Sequence, residues 1–479
     1  MRYYWLRIRK AFRSRVILIA LLAVATTLVF EYSNNRQIEN IRQHRYITNI
    51  RERAKSFWNK DQNLGWPPPV KEIRKGLEGK PSYVKHNHTE DDIELLYYMM
   101  DTPLYSDDDL SDDARDNVLR DNELIYEEVL NEKISEPRVN HLVRADDPEY
   151  EHQNATILAL VRNSETEAML QSIRDMEEKF NAKFRYPYTF LNNEDFTDEF
   201  KSAVAKILPG DREVRWGKIP SEDWDKPRDV PMSFVEQGGK EMEEKGVEHA
   251  TDLYLHNKYR WYSMKFYHHP LLEDIRYVWR LEPDVNLYCD INYDVFHFMK
   301  EYNKIYGFVV SIYNHPEAIR NLWGDTRNYA RDHPEYLNFD GSYGWIKDNV
   351  QKPNNFILCG YSTCHFWSAF EIIDLNFLRS DVYEGYVKHL DSMKGFYFQF
   401  WGDGPVRSLA LSLFVDKRQI HWFRDIGFYK MPFSNCPNSD KCGEKCTPGA
   451  FTPRENLALE NCMANWIKYS MDDDLLQLY

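Results

Sequence analysis

The sequence predicts an α/β fold, and two patterns in the 479-residue chain carry this prediction. The first is a βαβ order: an apolar run at 155–161, a helical pattern at 165–180 and a second apolar run at 188–191. The second is an apolar strand pattern at 276–285, which runs into the acidic sequence Glu282-Pro283-Asp284. Carboxylates at the end of such a strand lie where an α/β sheet opens its ligand crevice. The sequence therefore predicts a sheet with a polar site at one edge.

The first residues of the chain have the pattern of a membrane anchor. Six Lys and Arg residues precede an uncharged run at 16–30, which would rise about 22 Å as a helix, short of the roughly 30 Å hydrocarbon core. The positive charge predicts a cytoplasmic tail at 1–15 and a luminal remainder, so the run is interpreted as a type II signal anchor suited to a thin bilayer. The alternatives are a buried helix and a signal peptide cleaved at the small-x-small sequence Ala23-Val24-Ala25.

Residues 31–150 differ from the rest of the chain in composition. They are polar and acidic and have few periodic apolar positions, so they cannot bury enough apolar surface to form a core of their own. We expect a luminal acidic stem, with helical pieces that pack on the domain at 151–479. The formal net charge of −15 argues against nucleic acid as a partner.

The cysteines are concentrated in the C-terminal part of the chain. All seven lie from Cys289 onward, and Cys436, Cys442 and Cys446 occupy a segment rich in Pro, Gly and Asn, with Cys462 following. In an oxidising lumen this pattern indicates a disulfide-bonded loop, and the odd count leaves one thiol free. A zinc site is the alternative, although the spacings match no standard zinc pattern.

Three polar features of the predicted domain are candidates for a site. Arg162 lies at a strand-to-helix turn, where backbone N–H groups can bind a phosphate. Glu282-Pro283-Asp284 can hold a divalent cation against a diphosphate, or it is a polar turn that ends a strand. Glu371 lies among aromatic residues, either as a paired core residue or as a catalytic carboxyl group with a shifted pKa.

Other motifs and elements complete the pattern. Further strands are predicted at 305–312 and 355–358, with a short helix and a long loop at 313–354 between them. The chain contains no glycine-rich dinucleotide fingerprint, no P-loop and no G-x-S-x-G motif, which argues against a Rossmann dinucleotide domain, a kinase and an α/β-hydrolase.

Six sequence blocks together resemble the fungal α-1,2-mannosyltransferase family, glycosyltransferase family 15, over about residues 150–465. The short anchor and the polar stem are also similar to those of the type II Golgi enzymes of that family. The blocks are VRNS at 161–164, WRLEPDV at 279–285, CDINYDVF at 289–296, YSTCHFWSAFEI at 361–372, WGD at 401–403 and HWFRDIG at 421–427.

The resemblance implies a GT-A type α/β fold with a mixed central sheet, and a catalytic domain at 151–479 in the Golgi lumen. It implies transfer of mannose from GDP-mannose, with retention of configuration and with Mn²⁺, to mannose-containing N- or O-linked glycans of glycoproteins, forming α-1,2 linkages. Two alternatives remain open. One is a mannosylphosphate transferase of the same family, and the other is a catalytically silent member that binds nucleotide or glycan as a scaffold.

The resemblance also assigns roles to single residues. The alignment is loose around the tyrosine that contacts the nucleotide in the family, so two tyrosines are candidates for it. The matched positions are Glu282 for the metal, Arg162 and Tyr254 or Tyr259 for the nucleotide, Glu371 as the proposed nucleophile and Asp403 near the reacting centre.

The chain departs from the family pattern in three places: at Lys430, at Gln399 and Arg407, and over residues 225–260, whose divergence leaves the acceptor site unassigned. Lys430 stands where the family has a histidine that binds the metal, and a protonated lysine is no metal ligand. Gln399 replaces a carboxylate, and Arg407 adds a permanent cation. We hypothesise that Lys430, together with Arg407, supplies part of the positive charge that manganese supplies in relatives, which predicts a weaker dependence on manganese. The alternative is that His421 or Asp425 completes the metal site.

Overall fold

The computed structural model describes residues 81–102, 104, 112–348, 358 and 360–479. The predicted tail and anchor, the first part of the predicted stem, Cys359 and nearly all of the strand predicted at 355–358 lie outside these residues. Within the described part of the chain, no helix has the length and apolar character needed to cross a bilayer.

The strands of the described residues are short and lie between residues 155 and 435. They are β1 (Ala155–Leu160), β2 (Tyr188–Asn192), β3 (Val214–Lys218), β4 (Tyr277–Leu281), β5 (Asn286–Leu287), β6 (Tyr306–Phe308), β7 (Ser311–Tyr313), β8 (Cys364–Phe366), β9 (Phe370–Asp374), β10 (Ile420–Trp422), β11 (Phe428–Lys430) and β12 (Phe433–Asn435).

Seven of these strands form a mixed central sheet in the order β10-β6-β9-β4-β1-β2-β3. Neighbouring strands from β4 to β3 run parallel, as do β6 and β10, whereas β9 is antiparallel to both β4 and β6. Every residue of β1 and β4 is buried, as expected for strands covered on both faces. The predicted α/β class with a mixed central sheet is confirmed. Two smaller sheets, β12-β11-β5 and β7-β8, are antiparallel.

The α-helices of the described residues range from single turns to five turns and surround the sheet. They are α1 (Glu90–Asp101), α2 (Asp112–Asn131), α3 (Thr166–Met176), α4 (Ala182–Phe184), α5 (Asp198–Ile207), α6 (Ser221–Trp224), α7 (Met232–Glu243), α8 (Leu253–Met264), α9 (Val295–Glu301), α10 (Leu322–Asp332), α11 (Tyr343–Lys347), α12 (Leu375–Leu378), α13 (Asp381–Met393), α14 (Gly395–Phe398), α15 (Asp403–Phe414), α16 (Met463–Ser470) and α17 (Asp473–Leu476).

Two predicted elements differ in their bounds. The helix predicted at 165–180 is α3, which continues as a π-helical turn over Glu177–Asn181. The strand predicted at 305–312 is divided between β6, which lies in the central sheet, and β7, which pairs with β8. A mostly apolar run such as 305–312 does not indicate where a strand changes its pairing partner, so the sequence could not reveal this division.

The acidic segment before residue 150 contributes two helices that pack on the domain. In α1, Leu96 and Met100 are buried, and Lys347 Nζ donates a hydrogen bond of 2.8 Å to the carbonyl of Met100. Near the end of α2, Arg424 Nη2 donates to the carbonyl of Val129 at 2.8 Å. The expected helical pieces of the stem therefore contact the domain, while the boundary at residue 150 stays a prediction.

Three disulfides join the C-terminal segment to itself and to the sheet region. They are Cys289–Cys442, Cys364–Cys462 and Cys436–Cys446. The disulfide interpretation is confirmed and the zinc alternative is wrong for these residues, because their thiols are bonded to one another. Cys289–Cys442 ties the cysteine-rich loop to the segment after β5, and Cys364–Cys462 ties the start of β8 to the residue before α16.

Removing the Cys364–Cys462 bond should destabilise the protein more than removing Cys436–Cys446. The two bonds have sequence separations of 98 and 10, and loop-closure entropy makes the longer loop worth about 2 kcal/mol more. Paired Cys→Ala variants of the purified full-length chain, compared by denaturant unfolding, measure this difference. Equal losses of unfolding free energy in the two double variants would contradict it.

Candidate active site

One edge of the central sheet brings together side chains that are far apart in sequence. β4 ends at Leu281, so Glu282 lies directly beyond the sheet, and Arg162 follows the end of β1 by two residues. β9 runs in the opposite direction, and its register pairs Glu371 with Arg280. The start of β9 therefore meets the ends of β1 and β4.

The side chain of Arg280 links three carboxylates at this edge. Its Nε donates to Glu282 Oε1 at 2.7 Å, and its Nη1 donates to Asp403 Oδ2 at 2.6 Å. Nη1 also lies 3.6 Å from Glu371 Oε1. The guanidinium carbon lies 3.6 Å from the ring centroid of Tyr262. A charged residue inside an apolar strand was the available signal for Arg280, which the sequence analysis did not select.

Arg407 has a different position from the one hypothesised. It follows Asp403 by one turn of α15 and forms an ion pair with Glu371 Oε2, and its Nη2 donates to the carbonyl of Tyr262 at 2.6 Å. The Arg407 side chain is only 1% exposed. Arg407 therefore compensates the charge of Glu371 inside the core and is not accessible to a ligand.

Lys258 completes the surroundings of Glu282. It lies on α8, and its Nζ donates to Glu282 Oε2 at 2.7 Å, while Arg280 occupies Oε1. Both oxygens of this carboxylate are therefore bonded to cations. The sequence analysis missed Lys258, and the signal was its spacing of four residues from Tyr254 and from Tyr262, which places all three on one face of a helix.

Burial and neighbouring cations shift the carboxylate pKa values in opposite directions. Burial alone raises the pKa of Glu282, but the charges of Lys258 and Arg280 outweigh it, and the pKa lies well below its ordinary value. Burial likewise raises the pKa of Asp403, and Arg280 and Arg407 outweigh it. Asp403 is also the first residue of α15, where the helix dipole favours a negative charge. Both carboxylates are therefore ionised at neutral pH.

The two tyrosines predicted as alternatives have separate positions. The guanidinium carbon of Arg162 lies 4.4 Å from the ring centroid of Tyr254, in a cation–π contact at the end of β1. Tyr259 packs edge-on against Phe400, with ring centroids 5.3 Å apart. The structure therefore places Tyr254, and not Tyr259, beside the predicted nucleotide arginine.

Lys430 lies on β11 and approaches the acidic turn from the opposite side. Its Nζ donates to the carbonyl oxygen of Pro283, the residue after Glu282. Burial lowers the pKa of Lys430, and the charge of Glu282 opposes that shift. Gln399 lies elsewhere: its Oε1 accepts hydrogen bonds from Trp401 Nε1 at 2.9 Å and from the backbone N–H of Asn321 at 3.2 Å.

The residues considered as alternative metal ligands point into another part of the core. His421 Nε2 lies 2.8 Å from the hydroxyl oxygen of Tyr479, and Tyr293 donates to Asp425 Oδ1 at 3.4 Å. Burial raises the pKa of Asp425 to about 7. Among the described residues, His421 and Asp425 belong to no group with Glu282 that is close enough to share a metal ion.

Replacing Arg280 by Met should lower the free energy of unfolding by about 3–5 kcal/mol, because it leaves the buried carboxylates Glu282 and Asp403 with less compensating charge. The control is Arg320→Met, whose side chain is 44% exposed in its pair with Glu317, so its loss should be about 1 kcal/mol or less. Denaturant unfolding of the purified chain at pH 7 gives both values. Similar losses in the two variants would show that Arg280 is not central to the cluster.

Comparison with known proteins gives a family match and close relatives. A family model described as glycolipid 2-alpha-mannosyltransferase matches residues 112–471. The chain is 45% identical over 489 residues to the probable mannosyltransferase KTR4 of Saccharomyces cerevisiae, with 100% of both chains covered. It is 39% identical over 296 residues to the alpha-1,2 mannosyltransferase KTR1 of the same yeast, which covers 61% of this chain and 73% of that protein.

Two solved structures share the architecture. The mannosyltransferase Ktr4p from S. cerevisiae in complex with GDP is 48% identical, with a TM-score of 0.80, and the match covers 82% of this chain and 100% of that one. Core-mannan synthase A from Aspergillus fumigatus, in an Mn/GDP form, is 39% identical, with a TM-score of 0.68 and coverage of 71% and 93%. The mixed sheet and its helices are thus those of a glycosyltransferase fold.

Proposed function

We propose that this chain, which belongs to the glycolipid 2-alpha-mannosyltransferase family, transfers mannose from GDP-mannose to mannose-containing N- or O-linked glycans of glycoproteins, forming α-1,2 linkages. The observation that carries the proposal is the meeting of Arg162, Tyr254 and Glu282 at the carboxyl edge of the sheet. Open α/β sheets bind their ligands at this edge. The GDP bound in the Ktr4p structure supports a guanine nucleotide donor, and the name of KTR1 supports the α-1,2 linkage.

The nucleoside part of the donor fits the end of β1. The Arg162 side chain is 46% exposed and lies over the Tyr254 ring, so it offers an accessible cation next to an aromatic side chain. Glu165 orients this guanidinium, because its Oε1 accepts a hydrogen bond of 3.2 Å from Arg162 Nη2. The diphosphate then extends along α8 toward Glu282.

The reaction builds up charge in two places. When the bond between the anomeric carbon and the phosphate oxygen breaks, the electron pair remains on the β-phosphate, and the mannosyl group becomes cation-like. The acceptor hydroxyl then forms the new bond to the anomeric carbon and loses its proton. Glu371 and Asp403 contribute negative charge near this centre.

Glu371 is better suited to act as a fixed negative charge than as a covalent nucleophile. Its side chain is 1% exposed, Arg407 is bonded to Oε2, and Arg280 lies 3.6 Å from Oε1. A nucleophilic carboxylate needs a free oxygen directed at the anomeric carbon. Retention then follows from attack on the face from which the phosphate leaves, with that phosphate accepting the proton of the acceptor hydroxyl.

The compartment is proposed from the sequence and supported by the disulfides. The basic tail, the uncharged run at 16–30 and the three disulfides are consistent with a single-pass type II protein of the Golgi membrane, with its catalytic domain in the lumen. Microscopy of the tagged protein in cells, combined with protease protection of isolated vesicles, tests both location and orientation.

The Glu371→Gln variant should transfer mannose roughly a hundredfold more slowly, because it removes a charge positioned for the transition state. The control is Glu213→Gln, whose side chain is 60% exposed. Transfer from GDP-mannose to a methyl mannoside gives kcat and KM for each. Unchanged turnover in Glu371→Gln would exclude a catalytic role, and a mannosylated Glu371 peptide detected by mass spectrometry would make it the nucleophile.

The nucleotide product should be GDP. Sugar transfer breaks the bond at the anomeric carbon and releases GDP, whereas transfer of mannosyl phosphate breaks the bond between the two phosphates and releases GMP. Chromatography of the nucleotides formed during turnover distinguishes the two reactions. GMP formed in step with product would identify a mannosylphosphate transferase, and the absence of any acceptor-dependent nucleotide release would indicate the silent scaffold.

A further inference from the structure

Glu282 is surrounded by more positive charge than a single carboxylate needs. Arg280 lies 2.6 Å from Oε1 and Lys258 lies 2.7 Å from Oε2. A third cation, Lys430, bonds the carbonyl of Pro283 next to it. Arg280 also forms an ion pair with Asp403, so its charge is shared between two carboxylates. Lys258 and Lys430 are therefore the cations whose contacts are directed at the Glu282 turn.

These residues do not fit a site for a divalent metal. Manganese binds through several oxygen or imidazole ligands, but both oxygens of the Glu282 carboxylate are already bonded to cations. The other carboxylate of this turn, Asp284, is exposed and close enough to Lys430 for their charges to interact. In the described part of the chain, the one cluster of three possible metal ligands is Cys289, Cys442 and Cys446, which form disulfides. A divalent cation at Glu282 would also be repelled by the three neighbouring positive charges.

The two lysines lie where the diphosphate of the donor has to pass. Tyr254, beside Arg162, and Lys258 are four residues apart on α8, so they occupy one helix face about 6 Å apart along the axis. A nucleotide held at Arg162 therefore places its phosphates near Lys258 and the Glu282 turn. Lys430 approaches the same turn from β11.

Each lysine retains hydrogen-bonding capacity for a phosphate. An ammonium group has three N–H donors; Lys258 directs one to Glu282, and Lys430 directs one to the Pro283 carbonyl. The Lys258 side chain is 16% exposed and Lys430 is half-buried, so both can contact a ligand bound at this edge of the sheet. Glu282 then holds Lys258 in place and is not itself a ligand of the donor.

We propose that Lys258 and Lys430 form a two-lysine clamp, which binds the diphosphate of the donor and takes the place of the divalent cation. This proposal rests on the proposed function for the identity of the donor. When the bond to the anomeric carbon breaks, the electron pair moves to the β-phosphate oxygen, and the two ammonium groups stabilise the charge that forms there. The reaction then needs no metal ion at Glu282.

The direct test is binding of GDP to the purified full-length chain by isothermal titration calorimetry, in EDTA and in manganese. We expect the two dissociation constants to agree within about threefold. This measurement needs no variant and no turnover. Tight binding that requires manganese would overturn the clamp while leaving the proposed transferase activity intact, and no binding under either condition would overturn both the clamp and the proposed donor.

Variants identify the residues responsible. Lys258→Met and Lys430→Met should each weaken GDP binding in EDTA by about tenfold or more, since each removes a charge-assisted hydrogen bond. The matched control is Lys388→Met, whose side chain is 68% exposed on α13 and should leave the affinity unchanged. Thermal unfolding of each variant confirms that it is folded. Unchanged affinity in both clamp variants would contradict the proposal.

A gain-of-dependence variant provides an independent check. Lys430→His replaces a cation with a neutral metal ligand, so manganese should strengthen its GDP binding by a larger factor than it does for the unmodified chain. Lys388→His is the control for a histidine placed elsewhere. An equal manganese effect in all three proteins would show that Lys430 does not stand in for the metal.

Discussion

The Arg280 guanidinium organises the polar edge of the sheet. Arg280 lies in β4, all of whose residues are buried. It nevertheless donates hydrogen bonds to Glu282 and Asp403, and its Nη1 lies 3.6 Å from Glu371 Oε1. Isolated buried carboxylates would be too costly to keep ionised, so their charges depend on Arg280, on Arg407 and, for Glu282, on Lys258. β9 and the first turn of α15 each bring one of these carboxylates, Glu371 and Asp403, to Arg280.

Helix α8 contacts three separate parts of the candidate site. One face carries Tyr254 against Arg162, Lys258 against Glu282 and Tyr262 under Arg280. A rigid helix fixes the distances between these contacts. The proposed nucleoside site and the proposed reacting centre are therefore both positioned by this one helix.

The departures from the family pattern have different structural consequences. Arg407 forms a buried ion pair with Glu371, and Gln399 orients Trp401 through a hydrogen bond. Lys430 alone of the three contacts the Glu282 turn. The hypothesis that treated Lys430 and Arg407 as one pair of charges needed correction, because residues 23 positions apart in sequence gave no indication of which carboxylate each would meet. The lysine that acts with Lys430 in the proposed clamp is Lys258, which lies on α8, far from β11 in the sequence.

We could predict from the amino-acid sequence the α/β class, the strands around 155–161, 188–191 and 276–285, the acidic turn at Glu282 and the presence of disulfides. These features depend on local periodicity and residue type, which can be identified from neighbouring residues in the sequence. The three-dimensional contacts were needed to establish which cation bonds which carboxylate, that β6 and β7 belong to different sheets, and that Lys258 joins the site. Such pairings depend on contacts between distant segments, and their charges are compensated only once the fold has brought Arg280, Glu371, Asp403 and Arg407 together.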